Sequence, residues 1–314
     1  MTVSPRRTTF RLALLALVLM PTLASAQAWV NDPGELAINL RSDYQTAQGV
    51  WHGSTLVTGL PAASLNSGLA AEYVPLEHLA VGVGLSANGA TYTGPQSIPG
   101  NTSVILAHGS QDDGKYHWNI TDLDLDAHYQ VYDGAVAITP LVRGRVPVTN
   151  YENRGYAAAG SHLAELGVGV DIGRYGLGLD DLVLQVGYTF TYVQKASEGG
   201  AETEQYRVNR SDAEVSLAYI VTSKFIAGVA GAFRYTHDGF DLTSYPNLPA
   251  GSQLRTWHDP VLKVRYFAPA LLASYQFNPN WSLMGRFAAV VWGENASNPI
   301  SFGITVGYTT NLLE

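Results

Sequence analysis

Alternation at period two runs through almost the whole chain and limits, more than any other feature, what the sequence can fold into. Twelve segments carry large apolar residues on one parity and Gly, Ser, Thr, Gln or a charge on the other. Leu36, Ile38 and Leu40 open the first. Leu65, Leu69, Ala71 and Tyr73 mark the second, and Leu79, Val81, Val83 and Leu85 the third. In the fourth, Leu123, Leu125, Ala127 and Tyr129 alternate with Asp122, Asp124, Asp126 and His128. The pattern continues to Ile300, Phe302, Ile304, Val306 and Tyr308. Successive side chains of a strand point to opposite faces, so this spacing reads as β-structure, not helix. No apolar run beyond the first residues reaches the roughly 18 that a membrane-crossing helix requires.

The connections sort by length. Short links are expected at 74–78, Asp133-Gly134, 174–180, 222–224 and 278–280. Long ones are expected at 47–64, 88–116, 147–161, 194–205 and 237–256, with a briefer one at 293–298. Short turns on one side and long loops on the other, with an even strand count, predict a transmembrane antiparallel β-barrel with periplasmic turns and extracellular loops. Aromatics beside the short turns, at Tyr73, Tyr219, Tyr275 and Trp281, suit a girdle at the membrane edge. Pro140 and Pro269 fall inside two of the segments. Proline cannot donate a ladder hydrogen bond, so bulges are expected there.

At the N-terminus, Arg6, Arg7 and Arg11 precede the apolar run 12–20 and the small residues Ala24, Ser25 and Ala26. This is the pattern of a secretory signal peptide. Residues 1–26 are expected to be cleaved, with a second possible site after Ala28, leaving 27–314 as a single barrel domain. Cleavage removes three of the 18 basic residues against 26 acidic ones and carries the net charge further below −8. Nucleic acid is therefore an unsuitable partner. The absence of cysteine excludes disulfides, thiolate metal sites, cysteine nucleophiles and a lipidated N-terminal cysteine. The expected partners are outer-membrane lipid, lipopolysaccharide, the barrel-assembly machinery and a small solute; no cofactor is expected.

If one parity meets lipid, the other lines the lumen. Asp133-Gly134 reads as a two-residue hairpin turn. That register places Arg143 opposite Asp124 and Arg145 opposite Asp122, a lumenal charge ladder of Asp122, Asp124, Asp126, Arg143 and Arg145. Glu72, Glu165, Asp171, Arg234 and Arg286 are candidates to join it. Two readings stand: a patch that orients or selects a solute, or a set of mutually satisfied charges that orders the wall. A calcium site on the three aspartates is disfavoured, because a strand holds them in a row and arginines face them. His237-Asp238 and His258-Asp259, at the two ends of one loop, could meet as an open metal site or simply be solvated. His52-Gly53-Ser54 and His108-Gly109-Ser110 have the His–Ser spacing of barrel phospholipases, yet lie in glycine-rich links without the Asn-Gly that follows in that pattern. Glycine-rich phosphate-binding motifs are absent.

One set of motifs resembles a known group. These are Glu72-Tyr73 leading through a short turn to Leu79-Ala80-Val81-Gly82-Val83-Gly84-Leu85, the Asp-rich strand Thr121 to Tyr129, Arg143-Gly144-Arg145-Val146-Pro147, and Tyr235-Thr236-His237-Asp238-Gly239 followed by His258-Asp259. Together they resemble the outer-membrane proteins grouped with the meta-pathway of phenol degradation. The resemblance implies a barrel that helps hydrophobic or aromatic compounds cross the outer membrane, with no catalytic residue to carry over. The expected role is thus a passive channel or uptake protein and not an enzyme. A surface barrel that binds through its loops and a membrane-embedded esterase or phospholipase are the alternatives.

Overall fold

The computed structural model describes residues 28–95, 97–98, 101–105 and 110–313; the expected signal peptide lies outside the described residues. Twelve long strands form one closed sheet: β1 (Glu35–His52), β2 (Thr55–Leu76), β3 (Leu79–Tyr92), β4 (His117–Tyr129), β5 (Ala137–Pro147), β6 (Glu165–Tyr175), β7 (Leu182–Val193), β8 (Arg210–Ile220), β9 (Phe225–Thr236), β10 (Arg265–Gln276), β11 (Trp281–Ala289) and β12 (Ile300–Asn311). Each pairs antiparallel with its sequence neighbours, and β12 pairs with β1 to close the ring. The alternation predicted this all-β, twelve-stranded architecture.

The two parities face different surroundings. Leu40, Leu69, Leu125, Val168, Val229, Leu271 and Phe302 are each at least half exposed on the outer wall. Their same-strand neighbours Asn39, Thr121, Asp171 and Thr305 are buried on the inner side. An apolar surface of this extent around a whole barrel needs hydrocarbon, not water, against it. Tyr219, Tyr275 and Trp281 are exposed at the ends beside the short turns, where a girdle would sit.

The link expected at 47–64 is not a loop. β1 and β2 continue upward and turn at Gly53-Ser54, with a register shift at Ala47/Gly49. The extension is held because Val50 and Leu60 bury their side chains among the other outer loops. Both prolines meet breaks in the neighbouring strand. Opposite Pro140 the ladder opens between β4 and the short piece Tyr132–Asp133. Opposite Pro269 it opens between β11 and Trp292–Glu294. The missing N–H therefore has no acceptor waiting for it.

The chain enters the barrel from below before β1 begins. Thr139 Oγ1 donates to the Ala28 carbonyl at 2.6 Å, and Val30 N donates to Gln130 Oε1 at 3.1 Å. Trp29 packs on Tyr175, ring centroids 4.9 Å apart, in a small apolar cluster with Ala28, Ala137 and Val183. All of these partners lie on inward-facing positions near the short-turn end of the barrel.

Candidate functional site

The lumen wall carries a chain of ion pairs that crosses half the barrel. Arg145 Nε donates to Asp124 Oδ1 at 2.7 Å, and its Nη1 lies 4.0 Å from Glu165. Glu165 receives both terminal nitrogens of Arg210, at 2.9 and 2.6 Å. Arg210 Nε reaches Asp212 at 3.2 Å, and Asp212 accepts from Arg234 Nε at 2.7 Å. The relay thus runs from β4 through β5, β6 and β8 to β9, ending where Arg234 lies 5.6 Å from the Tyr266 ring on β10. Paired charges of this kind fix geometry more than they add stability, because much of the attraction offsets lost hydration.

The register of β4 and β5 is two residues removed from the expected one. Arg145 stands opposite Asp124 and Arg143 opposite Asp126, while Asp122 faces Pro147. Asp133-Gly134 does not form the two-residue turn: Tyr132 pairs with Ile138 and Asp133 with Ala137, so the bend contains residues 134–136. A shift of two keeps every side chain on its expected face. Asp122 instead accepts from the Tyr151 hydroxyl at 2.8 Å, an outer-loop residue dipping into the barrel.

Asp126 does not pair with the Arg143 opposite it. Its carboxylate is hydrogen-bonded to His128 Nε2 at 2.8 Å, and Glu72 completes a group whose ligand atoms lie within 4.8 Å of one another. Gly82, between Glu72 and Asp126 in the ladder, permits this: a Cβ there would fall 2.5 to 2.7 Å from the Asp126 carboxylate. Arg143 lies instead across Gly167, with Nε buried and without an acceptor.

Glu165, Asp171, Arg234 and Arg286 all face the lumen cavity, as does Glu72. Arg41, Arg210, Asp212 and Glu214 also face it and were missed. Their signal was available: Arg210, Asp212 and Glu214 repeat the period-two spacing of Asp122, Asp124 and Asp126.

The outer loops fold inward as a roof. Tyr92 and Tyr156 stack at 4.6 Å in a cluster with Phe240, Leu242, Leu254 and Val261. Asn295, fully buried, ties three loops together: Oδ1 accepts from Gly53 N and Leu242 N, each at 3.1 Å, and Nδ2 donates to the Lys263 carbonyl at 3.2 Å. Burial alone would raise the Glu152 carboxyl, but hydrogen bonds from Arg154 and Ser110 outweigh it and hold it at about 2. The two histidine–aspartate pairs have separate roles here. His237 is hydrogen-bonded to Ser211 at 2.9 Å, His258 to the Leu254 carbonyl at 2.9 Å, and Asp259 accepts from Gly155 N at 2.8 Å. Ser54 sits in the tight outer turn, and Ser110 donates to Glu152 at 2.6 Å; His108 lies outside the described residues.

Beneath the roof is a cavity of about 470 Å3, bordered by His52, Tyr156, Tyr245 and His258 above and by the barrel wall below. Gln45, Ala232, Tyr266 and Arg286 border both this cavity and the lumen cavity of about 600 Å3.

The closed sheet, its lipid-facing belt and its polar interior define a transmembrane β-barrel of the outer-membrane type. No family model matches the chain, and no curated protein matches it in sequence. In structure it is similar to an outer-membrane channel from Pseudomonas putida F1, with a TM-score of 0.67 at 10% identity, covering 93% of this chain and 100% of that one. The porin NanC gives a TM-score of 0.50 at 12% identity over 86% of this chain and 98% of its own. The translocator domain of the autotransporter NalP from Neisseria meningitidis gives 0.51 at 12% identity, covering 96% and 94%. At such identities the likeness is one of fold.

Proposed function

We propose that this protein is an outer-membrane channel through which small apolar or aromatic solutes pass by diffusion. The observation that carries the reading is a pair of cavities, one under the outer loops and one in the charged lumen, that share four lining residues. Their volumes fall in the roughly 300 to 1,000 Å3 range of small-molecule sites. One side of the cavity under the loops is apolar: Ala232, Ala268, Ala288 and Ala289 line it from β9, β10 and β11. An apolar solute can follow that wall without stripping water from the ion-pair relay opposite. A grouping with the meta-pathway barrels belongs to the same proposal and is supported by the motifs around Glu72, Thr121, Arg143 and Tyr235.

The test is reconstitution of the purified chain into planar lipid bilayers. Discrete conductance steps above those of lipid alone are expected. A trace that stays at the lipid background, with insertion verified by heat-modifiable gel mobility, sinks the channel reading.

A further inference from the structure

Arg286, like Arg143, holds no carboxylate in an ion pair among the described residues, and of the two only Arg286 borders both cavities. It projects inward from β11 between Met284 and Ala288, both buried in the apolar wall. Its ladder partners are Leu272 on β10 and Gly303 on β12, so neither neighbouring strand places a carboxylate opposite it. Arg145, Arg210 and Arg234 each hold a carboxylate. Arg286 forms no such pair among the described residues, and its Nε is buried without an acceptor. Glu214 interacts electrostatically with Arg286, Arg41 and Arg143 together, one carboxylate among three guanidiniums. The remaining nearby acid, Asp43, is bound by Arg41.

This guanidinium, in no ion pair among the described residues, borders both cavities. A guanidinium is a planar fork that matches a carboxylate in two parallel hydrogen bonds. Beside it, Ala268 and Ala288 offer an apolar surface to whatever the carboxylate is attached to. One fork and one apolar wall suit a single negative charge on an apolar body.

We propose that the wall shared by the two cavities is a binding site for small amphipathic monocarboxylates, aromatic or aliphatic acids whose carboxylate docks on Arg286 while the body lies against Ala268 and Ala288. The assignment deepens the channel reading and rests on it for its place along a transport route. Arg286 then acts as the selecting residue, and the apolar wall makes a bare inorganic anion or acetate a poorer ligand than an acid with a ring or chain.

The test is isothermal titration of the full barrel in a neutral detergent with benzoate, benzamide and acetate as probes. Benzoate is expected to bind more tightly than either of the others. Arg286→Gln is expected to lower the benzoate-to-benzamide affinity ratio by about tenfold, the loss of a charge-assisted hydrogen-bonded pair. Arg286→Lys, which keeps the charge without the fork, should lower it by less, and Arg174→Gln on the outer wall should leave it unchanged. Equal affinity for benzoate and benzamide, no measurable benzoate binding, or an unchanged ratio in both Arg286 variants overturns the assignment. Conductance steps without any benzoate preference would leave the channel reading standing and remove only this one; a benzoate preference at background conductance would do the reverse.

Discussion

Arg145 donates its Nε hydrogen to Asp124 Oδ1 at 2.7 Å, directly across the β4–β5 ladder. The Arg145 and Asp124 side chains keep 44% and 32% of their surface exposed, so water screens the pair. A double-mutant cycle of Arg145→Ala and Asp124→Ala, read by urea unfolding from lipid vesicles, should give a coupling of about 0.2 to 1 kcal/mol. The same cycle on Arg143 and Asp124 should give none. Coupling in the second cycle and not the first would restore the register expected from a two-residue turn.

That contrast marks how far the sequence could be read. Leu125 out and Asp124 in follow from alternation alone, because parity survives any even shift of register. Which arginine meets which aspartate depends on whether the β4–β5 bend holds two residues or three. The Asp-Gly pair suggested two, and the opening opposite Pro140 supplied the rest. Arg210, Asp212 and Glu214 were overlooked because polar and glycine-rich sequence before them resembles loop, although their spacing is that of a strand. The inward roof around Asn295 and the entry of Trp29 rest on contacts between segments distant in sequence, which no local pattern encodes.

Two glycines on β3 separate steric need from simple composition. A Cβ at Gly82 would sit 2.5 to 2.7 Å from the Asp126 carboxylate, whereas at Gly84 the nearest atom is 3.5 Å away, an ordinary contact. Gly82→Ala should therefore push Asp126 off His128 and destabilise the barrel by about 1 to 3 kcal/mol. Gly84→Ala should change stability little. Equal midpoints for the two variants in urea would show that the Asp126–His128 contact does not depend on the glycine.

The roof should respond to acid through Glu152. Its carboxyl is held at about 2, well below its ordinary value of 4.5, so the folded loop favours the charged form. The resulting stabilisation is present above the unfolded value and is lost as pH falls toward 2. Hydrogen exchange of loop 148–164 should be slow and flat above pH 5, after correction for intrinsic rates, and should accelerate below about pH 4. In Glu152→Gln the acid-dependent part should disappear. Retention of the full acid response in that variant would assign it to another group.

Trp29 should decide whether the N-terminal segment stays inside the barrel. It is 9% exposed, packs on Tyr175 and covers Gly173, where a Cβ would fall 2.3 Å from the indole. Removing a buried tryptophan costs about 3 to 5 kcal/mol, more than the two side-chain hydrogen bonds of Ala28 and Val30 return at about 1 kcal/mol each. Trp29→Ala is thus expected to release the segment while the β1–β12 pairing keeps the barrel closed. Asn31, 6% exposed, gives a reporter, since the chain has no cysteine of its own. In an Asn31→Cys background, maleimide labelling should be slow with Trp29 present and fast after Trp29→Ala. Gly173→Val should accelerate it as well, by displacing the ring from the other side. Slow labelling in both variants, with heat-modifiable mobility intact, would mean that hydrogen bonds to Thr139 and Gln130 hold the segment without the indole.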